Sequence, residues 1–348
     1  MLVPSIQNNR KLTNWTKPVV NLPTLSGMVN AMGLFEERGS SATSVTFTRN
    51  TQSYTILPLN DRRLRDSSTG TSGTDETFSL SIPYINHIDT LTTEDILEYR
   101  EWDDPNVQMS AKRAAAAKVR DARIRADQTK EYLKIEALKG LIASPTDGSV
   151  VKSMFTELGG AQSPIDFVLG TAGTDVTAKI NEVLRTVSAN NRSGMAVKMP
   201  VVLCGKTFFD KLISHADVEA AYVQYLNSGK QRLRDNLFDF TEWGAIPSFE
   251  HRGMVFVNYA PIFTLENGTT VQPIADADGY VIHTGVRDLY RGYNGPSNKF
   301  SNIGKAGAPM YLYQWTQDKD NGIDFEMEVA PLFFMTNPLM SIKLTTSN

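Results

Sequence analysis

The longest regular pattern of polar and apolar positions is a helical one between Ala111 and Lys139, and no glycine or proline interrupts it. Small or apolar residues recur there at steps of three or four, apart from one double step across Thr129. They are Ala115, Val119, Ala122, Ala126, Leu133 and Ala137. A helix of this length spans roughly 45 Å, more than a small compact domain encloses. The pattern predicts a long strut over Ala111 to Lys139, with a seam of small side chains.

A second pattern, of period two, predicts an extended hairpin. Its alternating apolar residues are Val45, Phe47, Phe78, Leu80 and Ile82. Between the two strands the tip, residues 67 to 74, contains only Ser, Thr and Gly. Such a tip has little apolar area with which to support its own core. The hairpin is therefore expected to reach beyond the body of the subunit.

Three arginines precede the hairpin tip: Arg62, Arg63 and Arg65, beside Asp61 and Asp66. Composition favours a solvated loop end, because exposed charges need no fixed partner. The alternative is a set of charges that pair with an adjacent subunit. The candidate subunit contacts are these three arginines and two small residues of the helix seam, namely Arg62, Arg63, Arg65, Ala122 and Ala126.

The two ends of the chain differ in character. Residues 1 to 43 are polar and irregular, with anchors such as Trp15 and Phe35, and are expected to form an extended arm. After residue 160 helical and strand patterns alternate, which predicts a mixed domain. The predicted elements are helices Asp175 to Ser188 and Thr207 to Ile213, strands Val201 to Leu203, Met254 to Asn258 and Thr269 to Val271, a type I′ turn at Glu266 to Gly268, a surface loop at 291 to 309, and strands Tyr311 to Trp315, Phe325 to Val329 and Met340 to Leu344.

Composition narrows the function classes. Charged residues make up 21% of the 348 residues and the net charge is -3, so the overall balance gives no nucleic-acid or membrane signal. No apolar run approaches a membrane span, and no signal peptide precedes the arm, so the chain is expected to stay in the cytosol or a derived compartment. The single cysteine excludes an intramolecular disulfide. Basic residues on the long helix suit either a solvated outer face or DNA contact: Lys118, Arg120, Arg123, Arg125, Lys130 and Lys134.

Catalytic signatures are missing from the sequence. Cys204 to Thr207 resembles the end of a phosphate-binding loop, but Pro200 stands where that motif needs a glycine. The four histidines, at 87, 215, 251 and 283, are isolated and form no metal-ligand pair. We therefore expect no cofactor, no metal and no enzyme activity, and favour a structural role.

The order of arm, hairpin, basic helix, mixed domain and terminal strands is similar to that of the lambda-type major head protein family of tailed bacteriophages. The segments that carry the resemblance are Asp104-Pro105 before the helix, the strand and helix of Val201 to Ile213, the run His251 to Val257 followed by Glu266 to Gly268, and the end, Ala330 to Leu344.

The resemblance implies an α+β fold of the Hong Kong 97 phage type, with a spine helix at about Ser110 to Leu141 and with overlapping extensions. The implied parts are an N-terminal arm (1–50), an E-loop hairpin (51–83), a peripheral (P) domain (84–165, with 245–262 and 325–348 returning to it) and an axial (A) domain (166–244 and 263–324). It further implies hexamers and pentamers that close into an icosahedral shell around double-stranded DNA. The implied partners are a scaffolding protein, a portal, a cement protein and the DNA, with no membrane; the implied location is the virion, assembled in the host cytoplasm.

Two alternatives stay open, an encapsulin-like cellular shell and a soluble α/β enzyme. The founding member of the fold locks its shell by isopeptide bonds from an E-loop lysine. Between Lys17 and Lys112 this chain has no lysine, and arginine is a poor amine nucleophile. A shell of this chain is therefore expected to be held without covalent bonds.

Overall fold

A computed structural model describes residues 13–14, 27–50, 75–98, 107–191, 197–198, 200–220, 248–286, 288–317 and 321–347. The strands are β1 (Thr13–Asn14), β2 (Glu36–Gly39), β3 (Ser44–Asn50), β4 (Asp75–Ser81), β5 (Ile85–Leu91), β6 (Leu141–Ala143), β7 (Val150–Ser153), β8 (Ile165–Asp166), β9 (Val201–Cys204), β10 (Ser248–His251), β11 (Met254–Asn258), β12 (Phe263–Thr264), β13 (Thr270–Val271), β14 (Asp278–Ile282), β15 (Tyr290–Asn294), β16 (Tyr311–Thr316), β17 (Ile323–Val329), β18 (Pro331–Met335) and β19 (Ile342–Thr345). The helices are α1 (Met28–Ala31), α2 (Thr93–Glu98), α3 (Val107–Leu138), α4 (Met154–Glu157), α5 (Val176–Asn190) and α6 (Lys206–Ile213), with 3₁₀ turns at Phe300–Asn302 and Pro338–Met340.

Three larger sheets organise the described residues. A six-stranded sheet has the order β10-β11-β9-β14-β19-β8, and β11 runs parallel to β9. A four-stranded sheet has the order β1-β16-β17-β5, with antiparallel pairing throughout. A three-stranded sheet, β18-β15-β2, joins the two ends of the sequence. Two-stranded pairs are β3-β4, β6-β7 and β12-β13.

The main core lies around the six-stranded sheet. Every residue of β9 is buried, as its continuous run of apolar residues requires. Helix α5 begins at Asp175, whose carboxylate accepts a hydrogen bond from the Ala178 amide at 2.8 Å. The helix buries one apolar stripe, namely Val176, Ile180, Val183 and Val187. The predicted helix and strand of this region are thus confirmed in type and nearly in extent.

A second core lies where the long helix α3 meets the four-stranded sheet. The small helix residues Ala114, Ala122 and Ala126 pack with Leu312 and Phe325 of the sheet. Ala126 is 1% exposed. The predicted close approach of another element to a small-residue seam is confirmed, and that element is a sheet of the same chain.

The predicted bounds of the long helix need a shift of three residues. It runs from Val107 to Leu138 instead of Ser110 to Leu141. Gly140 takes φ +77, a conformation that a glycine adopts without strain and that commonly ends a helix. The chain then turns into β6, so the final three residues of the predicted helix belong to a turn and a strand.

Two turn and loop predictions also need correction. Gly268 takes φ +79, but Asn267 is not among the described non-glycine residues with positive φ, whereas a type I′ turn requires positive φ at both of its central residues. The hydrogen bond from the Gly268 amide to the Leu265 carbonyl, 3.0 Å, instead closes a tight turn over Glu266 and Asn267. The predicted loop at 291–309 begins inside β15, because Tyr293 and its neighbours pair with β18.

Several strands pair with partners that the expected domain bounds place in the other domain. Strands β11 and β19, assigned by sequence to the part that contains the long helix, pair with β9 and β14 in the six-stranded sheet. Strand β16, assigned to the other part, pairs with β17 next to the long helix. Pairing between distant strands carries no local sequence signal, which explains the difference.

Candidate assembly surfaces

The segment Gly27–Gly39 is fastened to the long helix by a buried ionic cluster. The Glu37 carboxylate lies 2.8 Å from Lys134 Nζ and 3.6 Å from Lys130 Nζ. Both lysine side chains are only 8% exposed. Burial raises the pKa of Glu37, but the two ammonium groups outweigh it and lower that pKa to about 2. The carboxylate is therefore charged at neutral pH and pairs with two buried ammonium groups.

A second carboxylate, Glu131, holds the start of the same segment. It accepts hydrogen bonds from the amides of Val29, at 2.8 Å, and Asn30, at 2.7 Å. The Tyr259 hydroxyl donates a third bond to it at 2.6 Å. A side chain at Gly27 would overlap this carboxylate. Helix α1 is thus capped by a residue of the long helix, about a hundred positions away in sequence.

These contacts change the expectation for the basic face of the long helix. Lys130 and Lys134 are buried and paired with Glu37, so they cannot reach DNA. Arg123 is 9% exposed and lies 3.1 Å from Asp127. Only part of the predicted basic face, such as Arg120 and Arg125, is exposed. The spacing of Lys130 and Lys134 places both on one side of the helix, a signal for a shared acidic partner, but nothing local identifies Glu37.

The seam residues Ala122 and Ala126 lie inside the subunit. Their neighbours are Met310, Leu312 and Phe325 of the same chain. Their packing role is therefore within one subunit. Because both side chains are buried there, they leave almost no surface with which to make the expected contact to another subunit. The other candidate contacts, Arg62, Arg63 and Arg65, and the hairpin tip at 67–74 lie outside the described residues.

The base of the predicted hairpin is present and firmly rooted. Strands β3 and β4 pair in antiparallel register, with Val45 opposite Leu80 and Phe47 opposite Phe78. The Phe47 ring stacks on Phe334 of β18, with ring centres 5.1 Å apart. Neighbouring Phe333 points to the other face of β18, where it contacts Phe35 and lies under Lys134 Nζ, 4.9 Å from its ring centre.

The four-stranded sheet has an aromatic and acidic face on the side away from the long helix. Alternation on β16 and β17 places there Tyr311, Tyr313, Trp315, Asp324, Glu326 and Glu328. The Lys299 ammonium covers part of this face. It pairs with Glu326 and lies 3.7 Å from Glu328 Oε1, and 5.5 Å from the centre of the Tyr313 ring. The carboxylates, which are 8% exposed or less, are thus held beneath a loop of the same chain.

The segment that resembles a phosphate-binding loop packs closely against the turn before β14. The amides of Gly205 and Phe208 donate to the carbonyls of Asp278 and Asp276, each at 2.8 Å. A Cβ atom at position 205 would overlap the backbone of Ala275 and Asp276. Two amides of this segment are thus already used by backbone carbonyls, and its glycine serves close packing.

The single cysteine and one of the histidines are buried in the core. Cys204 is fully buried, and burial raises the pKa of its thiol. His283 is also buried, where its Nε2 lies 2.8 Å from the Met340 carbonyl and burial lowers its pKa. Among the described residues, no group of His, Cys, Asp and Glu could hold a metal ion. No described helix is long and apolar enough to cross a membrane.

Two solved structures share the fold. The capsid protein of a prophage of E. coli CFT073 matches with a TM-score of 0.59 at 12% identity, over 92% of this chain and 93% of that one. The capsid of cyanophage P-SCSP1u matches with a TM-score of 0.51 at 13% identity, over 94% and 90%. The expected α+β fold of the Hong Kong 97 phage type is confirmed.

Sequence comparison reaches the same class of protein. The chain is 22% identical to the major capsid protein of Pseudomonas phage KPP10 and 24% identical to that of Salmonella phage Felix O1 (isolate Felix O1-VT1). Each match covers 98% of both chains. The phage major capsid protein E family matches residues 11–346. This chain therefore belongs to the phage major capsid protein E family, a family of structural capsid subunits and not of enzymes.

Proposed function

We propose that this chain is the lambda-type major head protein of a tailed double-stranded DNA bacteriophage. Copies of it form hexamers and pentamers that close into the icosahedral shell of the virion, assembled in the cytoplasm of a host bacterium. The observation that carries the proposal is the family match along residues 11–346. The shared fold over more than nine-tenths of the chain supports it.

The described contacts suit a shell subunit with two rooted extensions. The hairpin base stacks on Phe334, and the segment behind the N-terminal arm is fixed by Glu37 and Glu131. An extension that overlaps a neighbouring subunit needs a rigidly packed base, because a flexible base would move and would not hold the neighbour in place. We assign the hairpin to the E-loop and residues 1–26 to the N-terminal arm.

Strand pairing revises the assignment of domains within this proposal. We assign the six-stranded sheet with α5 and α6 to the A domain, so that β11 and β19 belong there. The four-stranded sheet and the long helix are assigned to the P domain, which gains β16. The six-stranded sheet lies in the main core and the four-stranded sheet in the second core, while the C-terminal part of the long helix, including Leu133 and Ile135, also packs in the main core.

The proposed partners are other copies of this chain, a scaffolding protein, a portal, a cement protein and packaged DNA. DNA contact is expected to be weak and without sequence preference. The net charge of -3 supports this, because a strongly basic inner wall would bind DNA by counterion release and impede its packaging.

Electron microscopy tests the proposal. The protein is co-expressed with the scaffolding protein of its phage, purified, and imaged, and closed icosahedral shells are expected. A compact monomer at high concentration, with and without the scaffold, contradicts it. Double-stranded DNA inside native particles separates a phage head from an encapsulin-like cellular shell, whose particles would enclose protein cargo.

A further inference from the structure

A turn beside the aromatic and acidic sheet face exposes two large apolar side chains. Phe300 is 94% exposed and Ile303 is 73% exposed, the highest values among the large apolar residues of the described chain. They belong to the turn Lys299–Gly304, which contains one short 3₁₀ segment. Isolated exposed apolar residues are ordinary, but two bulky ones that protrude together from one turn mark an interaction site.

The turn is held firmly from beneath. Lys299 pairs with Glu326, and its amide receives support from Ser297, whose Oγ accepts from it at 3.3 Å. Asn302, only 6% exposed, donates from Nδ2 to the Tyr313 hydroxyl at 2.6 Å. These buried contacts fix the turn while the two apolar side chains point into solvent. A fixed turn loses little conformational entropy when it binds, which suits a docking element.

We propose that the turn Lys299–Gly304 is a docking knob that inserts Phe300 and Ile303 into a second copy of this chain. The proposal rests on the proposed function and names one contact of the shell. The Lys299 charge is balanced by Glu326 and Glu328, whereas Lys305, whose Nζ bonds to Asn302 at 3.1 Å, keeps its positive charge at the edge of the turn. The expected receiving surface is therefore apolar where it meets Phe300 and Ile303.

The area available is too small to hold an isolated pair of subunits together. Two such side chains cover roughly 300 Å² when buried, whereas each partner of a stable complex buries about 800 Å². The knob thus contributes one contact among several, as suits a shell subunit that has copies of itself on several sides. A knob on one copy and a receiving surface elsewhere on the next form a head-to-tail contact, which closes into a ring where the rotation between copies allows it. Exposed apolar residues away from the turn supply candidate receiving surfaces: Ile88, Val150, Val151 and Ile262.

A paired substitution tests the knob. The variant with both Phe300→Ser and Ile303→Ser is compared with Ser301→Ala, a change in the same turn that removes almost no apolar area. The double variant is expected to keep the thermal midpoint of the isolated subunit, because neither side chain is buried, and to raise the protein concentration needed for shell assembly at least about tenfold. Ser301→Ala is expected to assemble like the natural protein. Equal assembly by the double variant overturns the knob.

A second measurement identifies directly the protein that the turn contacts, and it keeps an aromatic ring at position 300. Phe300 is replaced by the photocrosslinking residue p-benzoylphenylalanine, and assembled shells are irradiated. The expected product is a covalent dimer of this chain, near twice 38.6 kDa, whose crosslinked peptide maps the receiving surface. A crosslink to a different protein, such as a cement or scaffolding protein, overturns the proposal, and so does the lack of any crosslink in intact shells. If the natural protein forms no shells, the proposed function fails and the knob fails with it; if it forms shells that the double variant also forms, only the knob fails.

Discussion

Single residues decide how the N-terminal segment is attached. Replacing Glu37 by Gln leaves Lys130 and Lys134 buried without their anionic partner. Because the Glu37 side chain keeps 26% exposure, we expect a loss of roughly 2–4 kcal/mol in the free energy of unfolding, slightly below that of a fully buried pair. Denaturant unfolding of the subunit measures it. Glu36→Gln is the matched control, since Glu36 lies on the same strand with a side chain 60% exposed, and its effect should stay within about 0.5 kcal/mol.

Glu37 also makes a contribution to the free energy of unfolding that depends on pH in a known direction. The pKa of Glu37 is lowered from 4.5 to about 2 in the folded chain, so its stabilising effect is complete above pH 4.5 and is lost as the pH falls toward 2. The stability difference between the natural protein and Glu37→Gln should therefore shrink over that window. A difference that stays constant down to pH 2 would show that it does not arise from the charge of Glu37.

Residues of this kind were beyond sequence analysis. Lys130 and Lys134 have the composition of a solvated helix face, and only the distant Glu37 makes their burial possible. Glu131 is equally inconspicuous in sequence, although it caps α1. In both cases the decisive partner lies about a hundred residues away, so no periodicity or spacing reveals it.

Elements were more accessible to prediction, because helices and hairpins follow from local periodicity. The long helix and the antiparallel pairing of β3 with β4 agree with the expected patterns. The small-residue seam gives a sharp test. Ala126→Glu places a charge among buried apolar side chains and should cost about 3 kcal/mol or more.

Ala116→Glu is the matched control for the seam, since it makes the same change at an exposed position of the same helix. It should alter stability by no more than about 0.5 kcal/mol. Thermal unfolding and the yield of soluble subunit compare the two variants. Equal tolerance of both would mean that the buried face of the helix is placed wrongly.

At the scale of the whole molecule, the order of parts was predictable and the sheet topology was not. Strands β9 and β19 both pair with β14, although more than a hundred residues separate β9 from β19 in sequence. Local patterns predict each strand but not its partner, so the sequence alone could not show that β11 and β19 join the six-stranded sheet and β16 the four-stranded one. The family match, by contrast, extends over nearly the entire chain.

The shell as a whole should be free of covalent links. No lysine lies between Lys17 and Lys112, and an arginine cannot replace the amine in an isopeptide bond because its guanidinium stays protonated. Mature particles boiled in SDS are expected to run as one band near 38.6 kDa. A ladder of pentamers and hexamers on the same gel would contradict this.

Strand β18 connects the hairpin base to the N-terminal segment. Phe334 on one of its faces carries the hairpin, and Phe333 on the other carries the N-terminal segment and the long helix. The hairpin base and the N-terminal segment therefore rest on adjacent residues of one strand. A displacement of the hairpin base would shift β18 and with it the packing around Phe333, so we expect the two segments to move together and not independently.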